Sequence, residues 1–119
     1  MFNLVVENSS ERLDTIFHAL SDPTRRAMLS LLAGGERSVG ELAAPFSMSL
    51  AAASKHIKVL ERAGMVRRFV HGRTHTCALD VAPLRDGAAW LHYYEQFWHE
   101  RIDALEAALE ADDLEKEEQ

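Results

Sequence analysis

Between Ser38 and Asp80 the spacing of apolar residues changes once, and that change limits the folds open to this 119-residue chain. Ser38-Val39-Gly40-Glu41 fits the S-x-x-E capping box, in which the two side chains satisfy free backbone N–H groups reciprocally. It predicts a short helix over about Val39 to Ala44, stopped by Pro45. Ser49 predicts the cap of a longer helix, Leu50 to Arg62, ended by Ala63-Gly64. On that helix Ala53, Ile57 and Leu60 share an inward face, while Ala51, Ser54, Lys55, Lys58 and Arg62 lie on the other. Then the period shortens: MVRRFV and THTCAL are β-branched and aromatic, and His71-Gly72-Arg73 between them supplies a turn. Two helices about a tight PFSM turn, followed by a hairpin with arginine at its tip, describe a winged helix-turn-helix. The expected class is mainly α with a small β-hairpin.

The flanks add helices. Residues 1–8 read as a flexible arm, and Ser9 or Ser10 as the cap of a first helix bearing Leu13, Ile16, Phe17 and Leu20 on one face. Asp22-Pro23 opens a second, because aspartate accepts from free N–H groups and proline has none to leave unpaired. It points Ala27, Met28, Leu31 and Leu32 inward and ends at Gly34-Gly35. From about Pro83 a last helix repeats Leu84, Ala88, Leu91, Trp98, Ile102, Leu105 and Leu109, with Trp90, Tyr94 and Phe97 widening the stripe. So long an apolar face wants a partner helix. The organisation expected is one domain over 1–119: two helices in 9–33, the helix-turn-helix in 38–63, a wing in 65–80, a dimerisation helix in 83–111 and an acidic tail in 112–119.

The formal net charge is −6, which by itself argues against a nucleic-acid partner, but its distribution reverses that argument. From Asp103 onward eight acids face one base, Lys116, so this segment carries −7 and the rest of the chain +1. Ser49 to His75 holds Lys55, Lys58, Arg62, Arg67, Arg68 and Arg73 against Glu61 alone. A helix fits the major groove, and lysines and arginines on helix and wing pair with phosphates. Small Ala51 and Ser54 let the helix approach closely. His75 near the wing is a candidate phosphate donor, and His56 either a groove contact or a helix-packing group.

ALSDPTRRAMLSLL, SVGELA, SKHIKVLERAGMV and GRTHTCAL together resemble successive blocks of the ArsR/SmtB family of winged helix-turn-helix repressors. The resemblance covers about Leu13 to Asp80 and implies a homodimer built on the first and last helices, two recognition helices on double-stranded DNA, and repression relieved by an inducer. It implies a recognition helix from Ser49 to Ala63, with Ser49, Ser54, Lys55 and Lys58 toward DNA and Arg73 at the wing tip. The dimer residues that follow are Leu13, Ile16, Phe17, Leu91, Tyr94, Trp98, Ile102 and Leu105.

Many members of that family sense metals, and the corresponding positions here are poor in ligands. Glu41-Leu42-Ala43-Ala44-Pro45 has Ala43 and Pro45 where thiolate-sensing members carry cysteines. The single Cys77 also excludes an internal disulfide, and it is expected buried on the side of Leu79 rather than acting as ligand or nucleophile. Against the zinc pattern of the last helix, His92 matches, but Trp90 and Asp103 replace an acid and a histidine, leaving Glu106. His92 and His99 stand about 10 Å apart along one helix, too far for one ion within a chain. A hairpin cluster of His71, His75 and Cys77 is likewise not expected to bind metal. Neither metal nor cofactor is expected, and the aromatic run WLHYYEQFW reads as dimer core before ligand pocket.

These features favour a dimeric repressor on an inverted-repeat operator, with an unknown small-molecule inducer as a further partner. The alternatives are a winged-helix protein-interaction module, since fold does not determine function, and a metal-responsive repressor with a non-standard site. An enzyme is not expected: no nucleophile with an adjacent base and no Gly-rich phosphate loop occurs. No apolar run reaches the roughly 20 residues of a membrane span and the N-terminus lacks a signal-peptide pattern, so a cytoplasmic location is expected.

Overall fold

The computed structural model describes residues 2–118, with side chains for 10–117. It forms two compact units, Met1–Gly87 and Ala88–Gln119. The first contains α1 (Phe2–Leu20), α2 (Pro23–Ala33), β1 (Arg37–Ser38), α3 (Val39–Ala43), α4 (Leu50–Arg62), β2 (Val66–His71), β3 (Thr74–Leu79) and the first turn of α5 (Ala82–Glu118).

Local chemistry sets most of these boundaries. The Asp22 carboxylate accepts from the Arg25 backbone N–H at 3.1 Å, and Pro23 takes the first helical position of α2. The capping box forms in full: the Glu41 N–H donates to Ser38 Oγ at 3.1 Å and the Ser38 N–H to Glu41 Oε1 at 3.2 Å. Ser49 Oγ accepts from the Ala52 N–H at 3.1 Å. At the hairpin, β2 and β3 are joined by Gly72-Arg73, and only Gly72 has positive φ, 62°, as a turn with glycine in its first central position requires.

Three expectations about the elements needed correction. The first helix starts at Phe2, so Ser9 and Ser10 lie inside it and not at its cap; no proline or glycine occurs in residues 2–20 to break the turn. The backbone read as an arm is therefore helical from Phe2, and its side chains, like that of Ser9, lie outside the described residues. The wing is not a lone hairpin, because β1 adds to β3 to make an antiparallel sheet of order β1-β3-β2 with Arg37 opposite Cys77 and Ser38 opposite Thr76. Finally, α5 continues to Glu118 through the segment expected to be a tail, as Leu114, Glu115, Lys116 and Glu117 there are strong helix formers.

The core of the first unit joins Ile16 and Ala19 of α1, Met28, Leu29 and Leu32 of α2, Leu42 of α3, Ala53, Ile57 and Leu60 of α4, then Met65, Val66 and Cys77. Pairing Val66 with Leu79 and Arg68 with Cys77 turns the base of the hairpin toward this core. The Cys77 thiol is buried, and burial pushes it above its ordinary range. Ile16, expected at a dimer interface, is 1% exposed and fills its own protomer instead. A β-carbon on Gly87 would stand 3.3 Å from Ile16 Cγ2, so a bare backbone lets the start of α5 pack closely on Ile16.

The second unit is the remainder of α5. Leu91, Tyr94, Trp98 and Leu105 are exposed, as are Trp90, Tyr93 and Phe97, and Ile102 is half-buried. The Trp90 and Tyr94 rings lie 4.8 Å apart, and the Arg101 guanidinium sits 4.5 Å over the Phe97 ring. No helix among the described residues is long and apolar enough to cross a membrane.

Candidate nucleic-acid interface

Helix α4 presents three flanks. Its buried flank carries Ala53, Ile57 and Leu60; its outer stripe carries Ala51, Lys55, Lys58 and Arg62, all exposed, beginning beside the exposed cap Ser49. Among the described residues neither lysine, nor Arg62, nor Arg73 at the wing tip has an ion-pair partner. Four cations held at the surface without carboxylates leave their charge available to an anionic ligand.

Toward the wing, an open groove of about 420 Å³ is lined by Ser38, Val39, Gly40, Leu50, Ser54, Arg68, Arg73, Thr74 and His75. It brings together residues up to 37 positions apart in the chain, including Ser54, Arg73 and His75 from the sequence reading. Leu50 and Thr74 were missed there. For Leu50 the sequence pointed the other way: standing three residues before Ala53 and seven before Ile57, it shares their face by helical period, yet as the first residue of α4 it is 60% exposed.

The remaining candidates are engaged within the chain, Arg68 among them although it also lines the groove. Arg67 donates from Nε to Asp80 Oδ2 at 3.1 Å, with Nη2 also 3.1 Å from that oxygen, and Arg68 is engaged by Glu61 at 3.0 and 2.5 Å. Two of the six bases counted from the sequence are thus paired within the chain. His56 turns away from the outer stripe: its Nδ1 lies 3.3 Å from Arg25 Nη1 and 3.8 Å from Asp22 Oδ2. Of its two expected roles, the geometry gives helix packing. Arg25, 8% exposed, also donates from Nε to Ala19 O at 2.8 Å and from Nη2 to His18 O at 2.9 Å, closing the free carbonyl end of α1. The sequence reading passed over this arginine, since a charged residue inside a helix gives no sign of burial.

Three carboxylates that cap backbone ends are held below their ordinary range. The Arg25 N–H does so for Asp22, with His56 and the Arg25 charge assisting; the Ser38 N–H and hydroxyl do so for Glu41. For Asp80 the Ala82 N–H is the main cause and Arg67 a lesser one. Elsewhere, His92 Nδ1 and His99 Nε2 each lie 3.6 Å from the Glu95 carboxylate on the exposed surface of α5. Among the described residues no group of three His, Cys, Asp or Glu side chains converges as a metal site.

Comparison with known proteins agrees with this architecture. A family model described as a helix-turn-helix domain matches residues 20–68. The transcriptional repressor SdpR of Bacillus subtilis is 33% identical over 79 residues, spanning 66% of this chain and 88% of its own. The crystal structure of an ArsR family transcriptional regulator, RHA00566, is 44% identical and superposes with a TM-score of 0.72 over 76% of this chain and 93% of that one. The solution structure of the homodimeric winged helix-turn-helix DNA-binding domain of Mb0332 from Mycobacterium bovis, a possible ArsR-family regulator, is 25% identical, with a TM-score of 0.58 over 72% of this chain and 81% of that one. All three are transcriptional regulators by name, and the capped α3–α4 pair lies wholly within the residues that the family model matches, so this chain belongs to the ArsR family of winged helix-turn-helix transcriptional regulators.

Proposed function

We propose that the protein is a homodimeric repressor that binds double-stranded DNA at an inverted repeat. The observation that carries this reading is the set of cations without ion pairs among the described residues, Lys55, Lys58, Arg62 and Arg73, on the exposed stripe of α4 and the tip of the wing. On a duplex, the N-terminal part of α4 enters the major groove with Ser49, Ala51, Ser54 and Lys55 nearest the base edges, while Lys58, Arg62 and Arg73 pair with phosphates. A dimer presents two such units to half-sites about 34 Å apart, one turn of the duplex, which is why the target is an inverted repeat. The homodimeric state of Mb0332 and the repressor role of SdpR support the reading.

The test is selection of duplexes from a random pool by the purified protein, followed by titration of the enriched sequence across a salt series. Log affinity should fall linearly and steeply with log salt; a flat response contradicts phosphate pairing. Lys55→Glu with Lys58→Glu should abolish binding and leave the oligomeric state unchanged. Placed before a reporter gene, the enriched duplex should lower expression when the protein is present, and unchanged or raised expression contradicts repression.

A further inference from the structure

We propose that Arg68 is a positioning residue and not a phosphate contact: with Glu61 and His75 it braces the wing against α4 at the setting in which both meet one duplex. The inference rests on the DNA-binding reading above.

The wing leaves α4 through Ala63, Gly64 and Met65, with Gly64 at a φ of 76°, so a short left-handed turn joins the two parts. Its backbone is tied to the end of α4 by the Met65 N–H donating to Leu60 O at 3.0 Å and the Gly64 N–H to Glu61 O at 2.9 Å. Among the described residues the one side-chain ion pair from α4 to the wing is Glu61 with Arg68, where Nε and Nη2 converge on Oε1 at 3.0 and 2.5 Å. Only 20% of the Arg68 side chain and 30% of Glu61 remain exposed. A half-buried, doubly bonded guanidinium is held in orientation far better than an exposed surface pair.

On its other side Arg68 Nη1 lies 3.4 Å from His75 Nδ1, so the brace reaches β3 as well. Arginine can only donate, so in the neutral ring Nδ1 accepts and the proton resides on Nε2. Arg68 thereby leaves the exposed His75 with an N–H donor beside the groove shared with Ser54 and Arg73.

This arrangement also explains a carboxylate in the midst of the basic surface. An unpaired Glu61 repels phosphate; a Glu61 bound to Arg68 neutralises it and is itself neutralised. For Arg68 to grip a phosphate, that pair must open beside a competing carboxylate.

The two roles give Glu61→Gln effects of opposite sign. As a brace, Glu61→Gln weakens binding to the duplex enriched from the random pool by about tenfold, with an unchanged salt slope. Arg68→Met weakens it similarly, again at constant slope, and the exchanged pair Glu61→Arg with Arg68→Glu recovers most of the loss. In the free protein the Arg68 Nε–H should give a slowly exchanging NMR signal that Glu61→Gln removes, and melting temperatures of the variants show that fold loss is not the cause. The proposal is overturned if Glu61→Gln binds as well as or better than the parent, or if Arg68→Met lowers the salt slope by about one, the signature of a lost phosphate contact. If the parent enriches no duplex at all, the DNA-binding reading falls before any variant is made, and this role with it.

Discussion

The guanidinium of Arg25 and the imidazole of His56 meet 3.3 Å apart, joining the first turn of α2 to the middle of α4 across 31 residues of sequence. Arg25 also closes the end of α1 through the carbonyls of His18 and Ala19, so one buried cation links three helices. Hydrogen bonds from a charged donor are among the stronger contributors to stability, and their loss leaves acceptors short of partners. Arg25→Ala is expected to cost about 3 kcal/mol in chemical denaturation and His56→Ala about 1 kcal/mol. Equal losses would show that the imidazole, rather than the α1 carbonyls, is the main partner.

Acid should weaken the first unit through its capping carboxylates. Asp22, Glu41 and Asp80 are all held below their ordinary values, 3.8 for aspartate and 4.5 for glutamate. A depressed folded-state pKa contributes stability that is complete above the ordinary value and is lost as pH falls through the lower one. Thermal melts should therefore show a decline on the acid side of these values. Asp22→Asn, Glu41→Gln and Asp80→Asn combined should flatten it, while a decline of undiminished slope would place its origin in other carboxylates.

Cys77 should be inert in the folded protein. Its sulfur is buried and burial raises its pKa, so both access and thiolate are lacking. An aromatic disulfide reagent is expected to label it only at the rate of unfolding, accelerating with denaturant. Immediate labelling of the native protein contradicts the packing of β3 on the core.

The exposed stripe of α5 should be the seat of dimerisation. Leu91 and Trp98, at 53% and 64% exposure, are too large and apolar to be left to water along so continuous a face. Leu91→Glu with Trp98→Glu is expected to convert a dimer into a folded monomer in sedimentation, with unchanged circular dichroism. Persistence of the dimer would move the interface to another surface.

The elements themselves were mostly legible in the chain, because their determinants are local. Asp22-Pro23, the Ser38/Glu41 box, Ser49 and Gly72 act within a few residues, and each sets a boundary where the sequence placed it. Apolar spacing likewise foretold Ala53, Ile57 and Leu60 as the buried flank of α4 and Cys77 as a buried thiol. The spacing of alternating residues also separated wing from helix.

What a cation does was not legible, since charge counts say nothing about which carboxylate or carbonyl folding brings alongside. Six bases looked equivalent from Ser49 to His75, yet Glu61 engages Arg68 and Asp80 engages Arg67, leaving Lys55, Lys58, Arg62 and Arg73 on the surface without ion pairs among the described residues. Only packing decided that Ile16 belongs to its own core and that His56 faces Arg25; β1 likewise exists only because β3 lies next to it. Capping and periodicity are properties of neighbours along the chain, whereas ion pairing and burial depend on neighbours in space.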